Sequence, residues 1–123
     1  MTIPEIWNQK TIPVVYCAPE DGAVIVRMPG APCRAGDGVW LAASAESTRW
    51  DVRARSWTVD RAAFTEILQR LLARFSQAYV LQAHVMAPEA LHLYGGGSRC
   101  VVTATEAVRW RERELRWSLL RLV

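Results

Sequence analysis

Long apolar runs are missing from this chain of 123 residues. No stretch approaches the roughly 18 consecutive apolar residues that a membrane-spanning helix needs. The opening MTIPEIWNQK has no basic segment leading into an apolar one, so no secretory leader is expected. These readings point to a soluble cytoplasmic protein without a membrane partner. Cysteine and histidine are also scarce. Cys17, Cys33 and Cys100 are an odd number at wide spacing, and His84 and His92 pair with none of them at metal-ligand spacing. That pattern argues against a disulfide framework and a zinc site. No metal or other cofactor is expected.

Catalytic signatures are missing too. The chain has no G-x-S-x-G elbow, no H-E-x-x-H and no Walker motif. The run Gly95-Gly96-Gly97 lacks the spacing of a phosphate loop and reads as a turn. A non-enzymatic role is the expectation. Lysine is nearly absent as well: Lys10 is the single one among fifteen basic residues, and the rest are arginine. Arginine offers planar, bidentate contacts to phosphate and stacks on rings, which lysine does not. The charge is uneven. Residues 1–48 carry a net −2 and residues 49–123 a net +5, within a total of +3.

What is present fits one globular domain. Hydrophobic residues are 51% and charged residues 22% of the chain, near globular averages, and a chain of this length buries enough surface to fold unaided. Residues 1–13, bracketed by Pro4 and Pro13, read as an irregular arm anchored by Ile3, Ile6, Trp7 and Ile12. Val14–Cys17 and Ala23–Met28 flank the turn signal Pro19-Glu20-Asp21-Gly22 and read as a hairpin. Residues 29–38 form a Gly/Pro-rich loop, and residues 39–47 are ambiguous between helix and strand.

The stretch RWDVRARSWTV, Arg49–Val59, reads as a second hairpin: Trp50-Asp51 close one strand, residues 52–55 turn, and Trp57-Thr58-Val59 return. Asp51 suits the turn because its carboxylate can accept backbone N–H groups just downstream. Asp60 then suits the N-cap of an amphipathic helix over about 60–75, marked by Phe64, Ile67, Leu68, Leu71, Leu72 and Phe75 at three- and four-residue steps. Glu66 and Arg70 on its outer face are spaced as a surface ion pair. Tyr79–Leu81 read as a strand, and Pro88 opens a short helical turn.

The C-terminal segment keeps three readings open. Thr103 and Glu106 have capping-box spacing, so a helix sandwiched on both faces is one. The alternation of Leu115, Trp117 and Leu119 allows strands instead. A face carrying Trp110, Arg113 and Trp117, with Arg109, Arg116 and Arg121 beside it, suits a protein partner or a second copy.

The fold expected from these readings is a single α+β domain: a mainly antiparallel sheet, one long helix over about 60–75 and an optional C-terminal helix. The Arg/Trp-rich surface suggests a nucleic-acid-binding module, for DNA or RNA, with Arg49, Arg53, Arg55, Trp57, Arg70 and Arg74 as contacts. Bases stack on aromatic rings, and guanidinium groups hold phosphates. The alternative is a protein–protein interaction module, such as a mobile-element inhibitor, an adaptor or a small subunit, since Trp and Arg also dominate interface hot spots.

Residues 49–75 also resemble the HARP (HepA-related protein) domain of annealing helicases. Trp50-Asp51, Arg55, Trp57 and Val59, followed by the helix, occupy the matching positions. Similar stretches occur in small plasmid and phage domains. The resemblance implies a compact α+β module that engages DNA. The chain has no helicase motor, so remodelling activity is not implied, and the C-terminal Trp/Arg segment has no counterpart.

Overall fold

The computed structural model describes residues 2–18, 22–29, 48–82, 100–110 and 113–122. Along the chain these are α1 (Ile3–Asn8), β1 (Val14–Ala18), β2 (Ala23–Arg27), β3 (Thr48–Asp51), β4 (Ser56–Asp60), a 3-10 turn (Arg61–Ala63), α2 (Phe64–Phe75), β5 (Gln77–Gln82), β6 (Cys100–Trp110) and β7 (Arg113–Leu122). The strands form one sheet in the order β3-β4-β2-β1-β5-β7-β6. Every neighbouring pair is antiparallel except β1 and β5, which run parallel. The protein is a single small α+β domain built on this mixed, mostly antiparallel sheet.

The sheet carries a core on each face. Val15, Val24, Val26, Trp57, Val59, Val80 and Leu120 project from one face onto α2, which buries Ile67, Leu68, Leu71 and Leu72 against them. The helix is shorter than expected. Asp60 is the last residue of β4, and its carboxylate does not cap the 3-10 turn that precedes α2. The turn is instead tied to the first hairpin by the Arg61 N–H donating to the Gly22 carbonyl at 3.1 Å. Gly22 stands at φ +59°, where a side chain would be strained. α2 ends at Ser76, a non-glycine residue at φ 66°, whose N–H donates to the Leu72 carbonyl at 2.9 Å.

On the other face Val14, Tyr79, Leu81, Leu115 and Trp117 pack beneath α1 through Ile3 and Ile6. Tyr79 and Trp117 meet edge to face, with centroids 5.8 Å apart. Here part of the expected irregular arm, Ile3–Asn8, is a helix. Thr2 accepts from the Glu5 N–H at 3.3 Å, and Glu5 accepts from the Thr2 N–H at 3.2 Å, a reciprocal capping box. Pro4 falls in the first turn, where its missing N–H costs nothing. At the other end Arg27 Nη1 donates to the Trp7 carbonyl at 2.7 Å and to Asn8 Oδ1 at 3.2 Å. A cation at the carbonyl end of so short a helix opposes the residual dipole charge there. Gln9 then fastens the link to β1, accepting from the Thr11 and Ile12 N–H groups at 3.0 and 2.9 Å while its amide donates to the Ile12 carbonyl.

The optional C-terminal helix is overturned: Cys100–Trp110 and Arg113–Leu122 pair as the β6–β7 hairpin, with Trp110 opposite Arg113 at its end. Thr103 and Glu106 make no capping box. Thr103 Oγ1 donates to the Leu119 carbonyl across the hairpin at 3.2 Å, and Glu106 stands opposite Trp117. A β-bulge falls between Val102 and Ala104. The extra residue, Thr103, resets the side-chain alternation, so Cys100 and Val102 face the α2 core while Ala104 and Val108 face the α1 core. The readings at 29–47, Pro88 and Gly95–Gly97, together with Cys33, His84 and His92, fall mostly or wholly outside the described residues.

Candidate nucleic-acid interface

The β3–β4 hairpin forms where the sequence places it. Trp50 pairs with Trp57 and Asp51 with Ser56, and residues 52–55 turn between them. Asp51 Oδ1 accepts from the Arg53 and Ala54 N–H groups at 2.9 and 3.1 Å. The carboxylate is therefore engaged in folding the turn. Arg55 adopts φ 51°, a left-handed position normally given to glycine or asparagine. The turn exposes Arg53 and Arg55, and Arg49 is exposed on the edge strand β3. Among the described residues none of these three guanidinium groups has an ion-pair partner.

The other expected contacts separate from them. Trp57 is 4% exposed and belongs to the α2 core, so its ring is closed to a stacking base. Arg70 pairs with Glu66 at 3.2 Å, as the spacing predicts. The Arg74 guanidinium lies 5.4 Å from the Phe75 ring centroid. Both sit on α2, whereas Arg49 stands opposite Thr58 and so belongs to the α1 face of the sheet. A single strip joining all five arginines is not formed.

The expected partner face also divides. Trp110 and Trp117 lie on different strands, Trp110 at the hairpin end and Trp117 in the α1 core at 7% exposure. Trp117 is therefore closed to a partner. Its indole N–H, like that of Trp57, is buried without a hydrogen-bond acceptor among the described residues.

The structure adds residues that sequence reasoning missed. Val52, at the tip of the turn, is 74% exposed between Asp51 and Arg53; its signal was an apolar residue within a turn. On the α1 face lies a groove of about 360 Å³. One wall is the hairpin itself, through Asp51, Ala54, Ser56 and Thr58. Trp7 and Asn8 of α1 form the opposite wall, and Tyr16, Ile25, Leu81 and Leu115 line the space between. No sequence signal marks it, because six separate parts of the fold build it: α1, β1, β2, the β3–β4 hairpin, β5 and β7.

Titration adds no reactive centre. Burial pushes the Cys17 thiol up to about 11, against a smaller lowering by the nearby Arg61 charge. Burial also raises Cys100, opposed by a backbone hydrogen bond from Arg121. Raised thiols are poor nucleophiles at neutral pH. Among the described residues no group of three or more His, Cys, Asp or Glu side chains is placed to hold a metal, and no helix is long and apolar enough to cross a membrane.

Compared with known protein-family models, curated proteins and solved structures, the chain matches none.

Proposed function

We propose that this protein is a non-enzymatic nucleic-acid-binding module whose contact surface is the β3–β4 hairpin. One observation carries the reading: Arg49, Arg53 and Arg55 are exposed on one hairpin without an ion-pair partner among the described residues, and the intervening Asp51 is held by the turn backbone. Such a cluster gains by releasing counterions from a phosphate backbone. The resemblance of residues 49–75 to the HARP domain agrees with it, since the hairpin and following helix are the elements that carry the likeness. Arg70 and Arg74 take a secondary part at most, because local contacts already engage them.

The test is binding of fluorescent single-stranded and branched DNA, and of RNA, at several salt concentrations. Three phosphates neutralised on a single strand correspond to a slope of about −2 in log K against log salt, or roughly 20-fold weaker binding between 50 and 200 mM. No binding at low salt, or binding indifferent to salt, refutes the proposal.

A second reading rests on β6, an eleven-residue strand at the sheet edge on which Val101 is 39% exposed. Unpaired edges of this length recruit another strand. This reading makes the protein an interaction module for another protein or for a second copy, with Trp110 and Arg113 at the end of the same hairpin. Light scattering and co-purification test it; a monomer that retains no partner counts against it.

A further inference from the structure

The hairpin that exposes the arginines also builds a wall of the groove. Arg49, Arg53 and Arg55 alternate along the chain with Asp51, Ala54, Ser56 and Thr58, and the latter four line the cavity. A polyanion held by the guanidinium groups is thereby brought to the mouth of a mostly apolar slot. The slot presents two aromatic side chains, Trp7 and Tyr16, both half-buried and so open on one side. Polar groups stand at the hairpin and helix ends: the Thr58 hydroxyl, the Asn8 amide and the Asp51 carboxylate.

Resting on the nucleic-acid reading above, we propose that the groove is a subsite for one unpaired nucleobase of a single strand whose phosphates lie on the arginine hairpin. Three features select this occupant. The first is charge complementarity, since the exposed cations beside the groove require an anion at the rim while the interior suits an uncharged body. The second is size: a volume of about 360 Å³ has room for a base with its sugar, near the lower limit of small-ligand pockets. The third is chemistry. Aromatic faces accept any base by stacking, and the Asp51 carboxylate oxygen not bound to the turn backbone accepts a hydrogen bond from a base that carries an exocyclic amino group. Cytosine, adenine and guanine therefore enter in preference to thymine or uracil.

Trp7 is held for this task from behind. Its carbonyl is bound by Arg27, and α1 is anchored through Ile3 and Ile6, so the ring stands on a fixed element. The proposal assigns the base to Trp7 and Tyr16 and the phosphates to Arg49, Arg53 and Arg55. It leaves Trp57 and Trp117 in their core roles.

The experiment compares a twelve-nucleotide oligocytidine strand, the same strand with abasic sites, an oligothymidine strand and a duplex, each at two salt concentrations. Abasic substitution is expected to weaken binding about 5- to 100-fold, the range set by losing one stacked base, while the salt slope is kept. The duplex is expected to bind at least tenfold more weakly than the single strand, and oligothymidine more weakly than oligocytidine. Trp7→Leu and Tyr16→Leu, checked for native circular dichroism, are expected to reproduce the abasic loss on the intact strand and to leave abasic binding unchanged. Equal affinity for abasic and intact strands overturns the groove subsite and leaves the arginine contact standing. Failure of every strand to bind at low salt overturns the nucleic-acid reading and the subsite with it, and directs attention to a protein occupant.

Discussion

Trp50 lies directly across from Trp57 in the β3–β4 pair, with ring centroids 5.0 Å apart and planes inclined at 49°. The inner ring is closed off by α2 and the outer is half-buried. The pair fixes one face of the hairpin to the core and leaves the turn beyond it free for contact. Trp57→Ala should cost about 3–5 kcal/mol, as for other large-to-small changes at buried rings. Trp50→Ala should cost less, because its ring is less buried. Urea unfolding followed by tryptophan fluorescence would show the order; a larger loss at Trp50 would mean that the outer ring carries the hairpin.

The arginines should behave in the opposite way. Replacing Arg49, Arg53 and Arg55 with alanine removes exposed side chains without ion pairs, so stability should change by no more than about 0.5 kcal/mol per site. Single-strand affinity should fall, and the salt slope should drop by about 2.

Arg55 separates strain from charge. At φ 51° it occupies a conformation that glycine adopts freely. Arg55→Gly should raise stability by roughly 0.5–1 kcal/mol while lowering nucleic-acid affinity. Thermal unfolding and binding measured on the same preparation would display the two effects with opposite signs.

The thiol of Cys17 makes stability depend on alkali. Its ordinary value of 9.0 is raised to about 11 by burial, so the folded state holds the proton more tightly than the unfolded state. The resulting stabilisation is complete below pH 9, declines as pH rises, and is lost above about 11. A shift of this size corresponds to about 2–3 kcal/mol. Wild type and Cys17→Ala, compared by denaturant unfolding from pH 7 to 11, should show an extra decline in the wild type alone. Labelling of the Cys17 thiol at pH 8, located by peptide mapping, should be slow until the protein is unfolded.

The buried indole of Trp117 has no acceptor for its N–H among the described residues. An unsatisfied buried donor costs about 1–3 kcal/mol, which offsets part of what the ring contributes by packing on Tyr79. Trp117→Phe removes the donor and keeps most of the ring, so its stability should stay within about 1 kcal/mol of the wild type. Trp117→Ala, which opens a cavity beneath α1, should cost several times more.

Local chemistry made half of this fold legible. Asp51 announces its turn, Pro19 to Gly22 mark the first bend, and the apolar steps from Phe64 to Phe75 mark α2. Each of those signals acts within a few residues. α1 was hidden because Pro4 reads as a breaker until its place in the first turn is known. β7 stays one of three sequence readings: Leu115, Trp117 and Leu119 alternate, but both faces of the strand are buried, with Leu115 and Trp117 on one side and Ser118 and Leu120 on the other. That burial erases the polar alternation by which an exposed strand is recognised. The Thr103 bulge erased it in β6. The arginine side of the candidate site could be named from sequence, whereas the groove beside it depends on α1 meeting strands from both halves of the chain.

The lone parallel pairing, β1 with β5, has a kinetic consequence. On one side of it β3, β4, β2 and β1 form an antiparallel set, and on the other β5, β7 and β6 form a second. Only Val14 to Tyr16 against Tyr79 to Leu81, with the Tyr79 N–H on the Pro13 carbonyl, stitch the two sets into one sheet. Hairpins close within microseconds, but strands this distant in sequence must first find each other across a long loop. Folding should therefore wait on this seam, and the groove, which draws walls from both sets, is assembled last.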